Sequence, residues 1–272
     1  MLTADATGLF RHHGGVTDSV GFDRAAGYYD RTRGMSPKAV ARLVEVLAEE
    51  LRVRRPVLEV GVGTGMIALP LARAGVPIVG TDLSRQMLAK LVEKAGGVPF
   101  PLVRGDATAL PFREAAFGAA VMRHVLHLIP AWQEAVREVL RVVGPGGVLL
   151  VSHGTYPEPY LRLFRRFVEE TSLERPWAGL PPGEEELIDE LLGSLGARVR
   201  RLPDVPDTVE EPLAGFVRGM GEGLYSWTWG IDESERLRAA EQVAAWAERE
   251  LGPLDAPATR AHQTTFRAYD LP

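Results

Sequence analysis

The sequence has no cysteine and no asparagine, and lysine occurs only at Lys38, Lys90 and Lys94 among 272 residues. The absence of cysteine excludes disulfide bonds, thiolate metal ligands and a cysteine nucleophile. Histidine and carboxylate spacings typical of metal sites, such as H-E-x-x-H, are also missing, so we expect no metal site. Arginine carries most of the positive charge, and the shortage of lysine and asparagine favours a hot environment or a GC-rich genome.

Long apolar runs and excess positive charge are missing as well. No stretch approaches the roughly 20 apolar residues of a membrane span, and residues 1–15 lack the apolar centre of a signal peptide. The formal net charge of -5 counts against nucleic acid as a partner, because a phosphate backbone selects for basic surfaces. We therefore expect a cytoplasmic monomer or homodimer that acts on a small molecule.

The composition and the hydrophobic pattern indicate a globular α/β protein. With 46% hydrophobic and 25% charged residues, the chain can bury one large core or two small ones. Short apolar runs alternate with amphipathic helical segments, which predicts a parallel sheet with right-handed crossovers. The predicted strands cover residues 57–61, 77–82, 100–107, 117–124 and 146–153, with two further strands at 197–205 and 262–271.

Three parts of the chain differ in pattern. Residues 1–52 form a predicted N-terminal helical lid segment, whose main helix starts at Ser36 and Pro37 with a capping hydroxyl followed by proline. Residues 53–205 and 258–272 form the predicted core. Residues 206–257 are too long for a turn and predict an inserted cap, in which Trp227 and Trp229 either line a substrate pocket or fill the core of the cap.

Pro70 lies inside the predicted helix "MIALPLARAG", residues 66–75. A proline in a helix interior removes one backbone hydrogen bond and clashes with the preceding turn. We therefore expect a kink at this position.

The stretch "LEVGVGTGM" places glycines at positions 61, 63 and 65 directly after a buried strand. A dinucleotide fingerprint, G-x-G-x-x-G, would have its third glycine where this chain has Met66. Glu59 precedes the first glycine, and its carboxylate would repel a pyrophosphate but attract an amino group. The loop therefore favours a cofactor with a positive charge and no phosphate.

Five motifs in register extend this interpretation: "VLEVGVGTG", "VGTDLSRQML", "GDATALPF", "FGAAVMRHVLHLI" and "LRVVGPGGVLLV". Together they resemble the class I S-adenosylmethionine-dependent methyltransferases, in particular the branch of ubiquinone and menaquinone biosynthesis, over residues 28–152. The resemblance implies a doubly wound, Rossmann-like, mostly parallel seven-stranded sheet with an antiparallel last strand. It also implies S-adenosylmethionine as cofactor and S-adenosylhomocysteine as product.

The resemblance also implies which residues hold the cofactor. Asp82 would accept both ribose hydroxyls, Leu83 and Met87 would flank the adenine, and Asp106 and the Ala107 amide would contact its nitrogens. The remaining candidates surround the methionine part or cover the cofactor: Tyr29, Arg33, Glu59, Gly61, Gly63, Thr64, Gly65 and Arg123. Arginine suits a carboxylate because its planar fork can bond both oxygens.

One position departs from the family pattern. Gly118 stands where the family usually has an aspartate after the phenylalanine of the fourth strand. This weakens the fourth-strand motif without removing the assignment.

The acceptor of the methyl group is not specified by any residue. His124 is the candidate general base for a hydroxyl acceptor, although a strand-end histidine can equally shape the pocket, and His127 more so. An oxygen or carbon acceptor is favoured over nitrogen, because the strand end reads "VMRH" where amino methyltransferases of nucleic acids have D/N-P-P-Y. A nicotinamide-dependent oxidoreductase and a catalytically silent S-adenosylmethionine-binding module are the alternatives.

Overall fold

The computed structural model describes residues 12–13, 18–152, 154 and 156–272. Eight strands form one sheet in the order β1-β4-β3-β2-β5-β6-β10-β7. All strands of this sheet run parallel except β10, which is antiparallel to both of its neighbours. The strands are β1 (His12–His13), β2 (Val57–Val60), β3 (Ile78–Asp82), β4 (Leu102–Gly105), β5 (Ala119–Arg123), β6 (Val148–Ser152), β7 (Arg198–Arg201) and β10 (Arg267–Asp270).

This arrangement confirms the predicted fold class. The seven predicted strands correspond to β2 to β7 and β10, and the short β1 is an addition at the sheet edge beside β4. One detail of the prediction was wrong. Residues 262–271 do not form a single strand, because β9 (Pro257–Thr264) pairs with β8 (Val205–Pro212) in a separate two-stranded sheet, and β10 begins only at Arg267.

Helices cover both faces of the large sheet. The described helices are α1 (Tyr29–Arg33), α2 (Pro37–Leu51), α3 (Ala68–Arg73), α4 (Arg85–Ala95), α5 (Trp132–Val143), α6 (Tyr160–Glu169), α7 (Glu186–Ser194), α8 (Leu213–Gly221) and α9 (Glu233–Glu250). Apolar residues of α2, α3 and α4 pack on one face of the sheet, and those of α5 and α7 pack on the other. Because both faces are covered, every side chain of β2 is buried, as is typical of a central parallel strand.

Local sequence signals explain where two of these helices begin. The Ser36 hydroxyl accepts a hydrogen bond from the Ala39 amide at 3.2 Å, which confirms the predicted start of α2. Ser84 caps α4 in the same way, by accepting from the Met87 amide at 3.1 Å. α3 is shorter than predicted, so Pro70 lies in its first turn rather than in its interior. The N–H groups of a first turn have no partner within the helix, so the reason for expecting a kink does not apply.

The chain divides into two compact units. The first comprises residues 1–154, 178–205 and 264–272, and the second comprises residues 155–177 and 206–263. The predicted division into lid, core and cap stays a prediction; residues 206–257, the predicted cap, all fall in the second unit. None of the described helices is long and apolar enough to span a membrane.

The second unit has an aromatic core of its own. Trp227 is buried, stacks on Tyr225 with ring centroids 5.7 Å apart, and donates its indole N–H to the Tyr156 hydroxyl at 3.0 Å. Phe164 and Phe167 meet the same indole edge-on, at 4.9 and 5.5 Å. Trp227 is therefore a core residue of this unit. Four of the five tryptophans of the chain, at positions 177, 227, 229 and 246, belong to this unit, and Trp132 belongs to the first.

Candidate functional site

A cavity lies in the first unit at the carboxyl ends of the central strands. Parallel strands end at the same edge of a sheet, so residues far apart in the sequence meet there. Ten of the predicted site residues line this cavity: Tyr29, Gly61, Gly63, Asp82, Leu83, Met87, Asp106, Ala107, Arg123 and His124. The structure therefore brings together most of the residues that the motifs indicated.

The glycine loop after β2 forms the floor of the cavity. Gly61 and Gly63 have positive φ angles of 73° and 54°, which favour glycine. A Cβ atom at Gly61 would come within 2.8 Å of the Val125 side chain, whereas a Cβ at Gly63 would meet only the Met87 methyl group at 3.6 Å. The amide of Gly63 is held by the Asp82 carboxylate at 2.8 Å.

The next two residues of the loop face elsewhere. A Cβ at Gly65 would meet Leu69 at 2.8 Å and Leu91 at 3.0 Å, so this glycine allows α3 and α4 to pack closely. The buried Thr64 hydroxyl donates to the Asp30 carboxylate at 2.6 Å. Neither residue lines the cavity, and their roles in holding a cofactor stay predictions.

Asp82 ends β3 with its carboxylate at the rim of the cavity. One oxygen accepts from the Gly63 amide and the other from the Ser84 amide, each at 2.8 Å. Burial raises the pKa of Asp82 to about 6, a shift that these backbone donors oppose and that nearby Asp23 adds to. Asp82 is thus a preorganised acceptor that loses its negative charge as pH falls through about 6.

Asp106 also lines the cavity and lies directly after β4, the strand that pairs with β3. It is 5% exposed, and one of its oxygens accepts from the Thr108 amide at 2.8 Å and from the Thr108 hydroxyl at 2.7 Å. These two bonds fix the carboxylate in the turn that follows the strand. Ala107 lines the cavity beside Asp106, so the Asp106 carboxylate and the Ala107 backbone are neighbours in the lining.

Glu59 in β2 and Arg123 at the end of β5 carry opposite charges that interact electrostatically; Arg123 lines the cavity, whereas Glu59 is buried behind the lining. Glu59 is 4% exposed, and its Oε2 atom has no hydrogen-bond partner among the described residues. Burial raises the pKa of Glu59 to about 8, although the Arg123 charge opposes the shift. Burial lowers the pKa of Arg123, whose guanidinium contacts the sulfur atoms of Met66 and Met35 at 3.4 and 3.5 Å.

His124 and Tyr29 also line the cavity. His124 has a φ of 52°, uncommon for a residue with a side chain, and its amide donates to the Ser152 carbonyl at 3.0 Å. A Cβ at Gly154 would lie 2.1 Å from the imidazole, so the ring rests directly on that glycine. Tyr29 begins α1 and packs edge-on against Phe22 at 5.9 Å. Arg33 ends α1, and its side chain lies outside the described part of the chain.

Several cavity residues were not predicted from the sequence. The chain after β5 supplies an apolar wall, and the segment before α1 supplies another. The first could have been anticipated because it directly follows a strand end; the second carries no recognisable pattern. The residues concerned are Ser19, Val20, Phe22, Val60, Thr81, Gly105, Val125, Leu128 and Ile129.

The predicted cofactor, S-adenosylmethionine, fits these residues. The open space at Gly63 allows close approach to the backbone, and Asp82 offers acceptors for ribose hydroxyls. The buried oxygen of Glu59 that has no hydrogen-bond partner among the described residues suits a cationic amino group, because such a charge favours the ionised carboxylate. Among the described residues, no cluster of histidine, aspartate and glutamate could hold a metal ion.

Comparisons with known proteins agree with this geometry. A family model described as a methyltransferase domain matches residues 58–151. A demethylmenaquinone methyltransferase of Streptomyces avermitilis is 33% identical over 222 residues, which are 80% of this chain and 83% of that protein. Another, of Beutenbergia cavernae, is 28% identical over 203 residues, 74% of this chain and 76% of that protein. The solved structure of the YcgJ protein of Bacillus subtilis shares the fold, with a TM-score of 0.57 at 18% identity over 85% of this chain and 98% of that chain.

Proposed function

Because this chain belongs to the class I S-adenosylmethionine-dependent methyltransferases, in the ubiquinone and menaquinone biosynthesis branch, we propose that it methylates a small quinol-type ring. The acceptor atom in this proposal is a ring carbon or a ring hydroxyl oxygen. The two relatives are named for transfer to demethylmenaquinone, which supports a quinone-derived acceptor.

The observation that carries the proposal is the composition of the cavity beyond β5. Val125, Leu128 and Ile129 form an apolar wall, and a histidine, His124, lines the cavity next to them. An apolar wall suits an aromatic ring, because recognition of such ligands relies on apolar contact with a few polar groups for orientation. A single titratable side chain is sufficient for an acceptor that loses one proton.

The cofactor residues act by positioning. Asp82 and Asp106 would hold the adenosine part, while Glu59 and Arg123 would hold the amino and carboxylate groups of the methionine part. When bound, S-adenosylmethionine supplies a methyl group on a positively charged sulfur, already activated for displacement. Alignment of two reactants in a closed site can contribute about 7 to 11 kcal/mol to lowering the barrier.

In this proposal His124 accepts the proton that the acceptor loses. Its ring faces the cavity, and its position is fixed by the Ser152 carbonyl and by contact with Gly154. A positioned general base contributes about 10²- to 10⁴-fold in rate. His124→Asn removes the base but keeps a residue type that tolerates a positive φ. We expect this variant to lower kcat about 10²-fold and to leave the affinity for S-adenosylhomocysteine unchanged.

Methyl transfer from labelled cofactor tests the acceptor class. The panel contains a reduced naphthoquinone with a short apolar tail, the same ring in its oxidised form, a simple phenol, an alkyl amine and a small carboxylic acid. We expect label on the reduced ring alone or on it and the phenol, since oxidation removes the electron-rich ring and its hydroxyl protons. Label on the amine or the acid with none on the reduced ring would contradict the proposal, and NMR of the product distinguishes carbon from oxygen transfer.

A further inference from the structure

Residues 18–33, here called the N-terminal strap, border the cavity along one side. The strap contains a short 3-10 turn, Asp23–Ala25, and the helix α1. Four of its residues line the cavity: Ser19, Val20, Phe22 and Tyr29. Asp23 and Asp30 are exposed and lie outside the lining, yet both are hydrogen bonded to other parts of the first unit.

Asp23 attaches the strap to the beginning of α4. One of its oxygens accepts from the Ser84 hydroxyl at 2.7 Å and from the Gln86 amide at 3.1 Å. Gln86 is in the first turn of α4, whose N–H groups have no partner within the helix, and a carboxylate there is also favoured by the helix dipole. The attachment lies two residues after Asp82, so it holds the strap beside the predicted ribose site.

Asp30 attaches the strap to the glycine loop and to the end of α4. One oxygen accepts from the buried Thr64 hydroxyl at 2.6 Å, and the other accepts from the Lys94 ammonium at 2.8 Å. Thr64 is next to Gly63, which lines the cavity. A third attachment, from the Val20 amide to the Leu128 carbonyl at 2.9 Å, joins the strap to the chain after β5.

We propose that Asp23 and Asp30 are positioning residues that hold the strap over the cavity and thereby set the affinity for the cofactor. The proposal rests on the proposed placement of the cofactor in this cavity. Phe22 directly precedes Asp23, and Tyr29 directly precedes Asp30. The two aromatic rings pack on each other. If only the attached strap completes the binding site, the apparent affinity falls in proportion to the fraction of molecules in which it is attached.

The variants Asp30→Asn and Lys94→Met test one attachment from its two sides. We expect each to weaken S-adenosylhomocysteine binding about fivefold in calorimetry, as loss of one solvent-exposed ion pair implies. The double variant should be no weaker than either single variant, because both remove the same interaction. The KM for S-adenosylmethionine should rise while kcat at saturation is kept, and hydrogen exchange of residues 18–33 should accelerate.

Asp23→Asn tests the other attachment and has an additional readout. The charges that face Asp82 are those of Asp23 in the strap and Glu59 in β2. Removing the Asp23 charge should weaken binding and also move the acid limb of the binding profile to lower pH, because Asp23 raises the pKa of Asp82. Asp30→Asn should weaken binding without moving that limb.

Matched controls are Asp18→Asn, an exposed carboxylate on the strap itself, and Glu93→Gln, whose carboxylate pairs with Lys90 on the exposed side of α4. Both should bind S-adenosylhomocysteine as the wild type does. Wild-type affinity and unchanged exchange in the Asp23, Asp30 and Lys94 variants would overturn the proposal, as would an equal loss in the two controls. Failure of the wild type to bind S-adenosylhomocysteine would instead overturn the placement of the cofactor.

Discussion

Replacing Glu59 with glutamine is expected to stabilise the protein by an amount that grows with pH, while weakening cofactor binding. Glu59 is buried at the end of β2, and one of its oxygens has no partner among the described residues. Glutamine has nearly the same shape and keeps an oxygen to accept the Ala68 amide, but it carries no charge. The substitution therefore removes an ionisable group from the core and changes little else.

The magnitude follows from the change in the pKa of Glu59 on folding. The carboxyl group titrates at 4.5 in the unfolded chain and at about 8 in the folded protein, so the folded state binds the proton more tightly. Stability contributed by such a group is lost as pH rises between these two values. At 1.36 kcal/mol per pKa unit, the wild type should lose about 2.5 kcal/mol of unfolding free energy between pH 5 and pH 7 through Glu59 alone.

Urea unfolding of both proteins at pH 5, 6 and 7, followed by circular dichroism, measures this effect. The unfolding free energy of the variant relative to the wild type should increase by about 2.5 kcal/mol over this range. Glu93→Gln, an exposed carboxylate on α4, should show no such trend. A difference that is independent of pH would refute the reasoning. In calorimetry, Glu59→Gln should bind S-adenosylhomocysteine about tenfold more weakly, since a charge-assisted bond is lost.

Three further predictions concern Asp82, Gly61 and Asp270. Asp82→Asn should weaken S-adenosylhomocysteine binding about tenfold in calorimetry. Binding by the wild type should weaken as pH falls through about 6, where Asp82 takes up a proton. Binding that is independent of pH would contradict this prediction. Gly61→Ala should reduce the free energy of unfolding more than Gly75→Ala. Both glycines have positive φ angles, but only the Cβ added at Gly61 would clash with Val125. Equal losses in urea unfolding would contradict this prediction. Arg200 of β7 holds the pKa of the Asp270 carboxyl below its usual value, so the stability that this carboxylate contributes at neutral pH is lost on acidification. Asp270→Asn should therefore lower the urea midpoint at pH 7 but progressively less at lower pH.

The central sheet and the strand-end residues could be predicted from the sequence because their signals are local. Buried runs such as residues 57–60 must be strands between helices, and a parallel sheet brings their carboxyl ends to one edge. Asp82, Asp106 and Arg123 were assigned from the family resemblance; each lies at or directly after the end of a strand, and the structure places them around one cavity. The family comparison does not favour the nicotinamide-dependent alternative.

Features that depend on distant contacts could not be predicted. The spacing of the glycines does not say which way each one faces, and Gly65 proves to face Leu69 and Leu91 rather than the cavity. The hydrophobic pattern of residues 257–271 does not indicate where the chain passes from the two-stranded sheet to the large sheet. The partners of Asp30 are 34 and 64 positions away, and nothing in the local pattern of the strap indicates them.

Localisation, oligomeric state and the absence of nucleic-acid binding stay predictions from composition. That the protein comes from a hot environment also stays a prediction from composition. Size-exclusion chromatography with light scattering would separate the monomer from the homodimer directly.

The uneven distribution of tryptophan gives the protein an intrinsic optical label for one of its two units. Trp177, Trp227, Trp229 and Trp246 lie in the second unit, and Trp132, at the start of α5, belongs to the first. In a Trp132→Phe variant all indole emission would come from the second unit, while circular dichroism would report on the whole chain. Coincident denaturation curves would mean that the two units unfold together, and separated curves would give each unit its own transition.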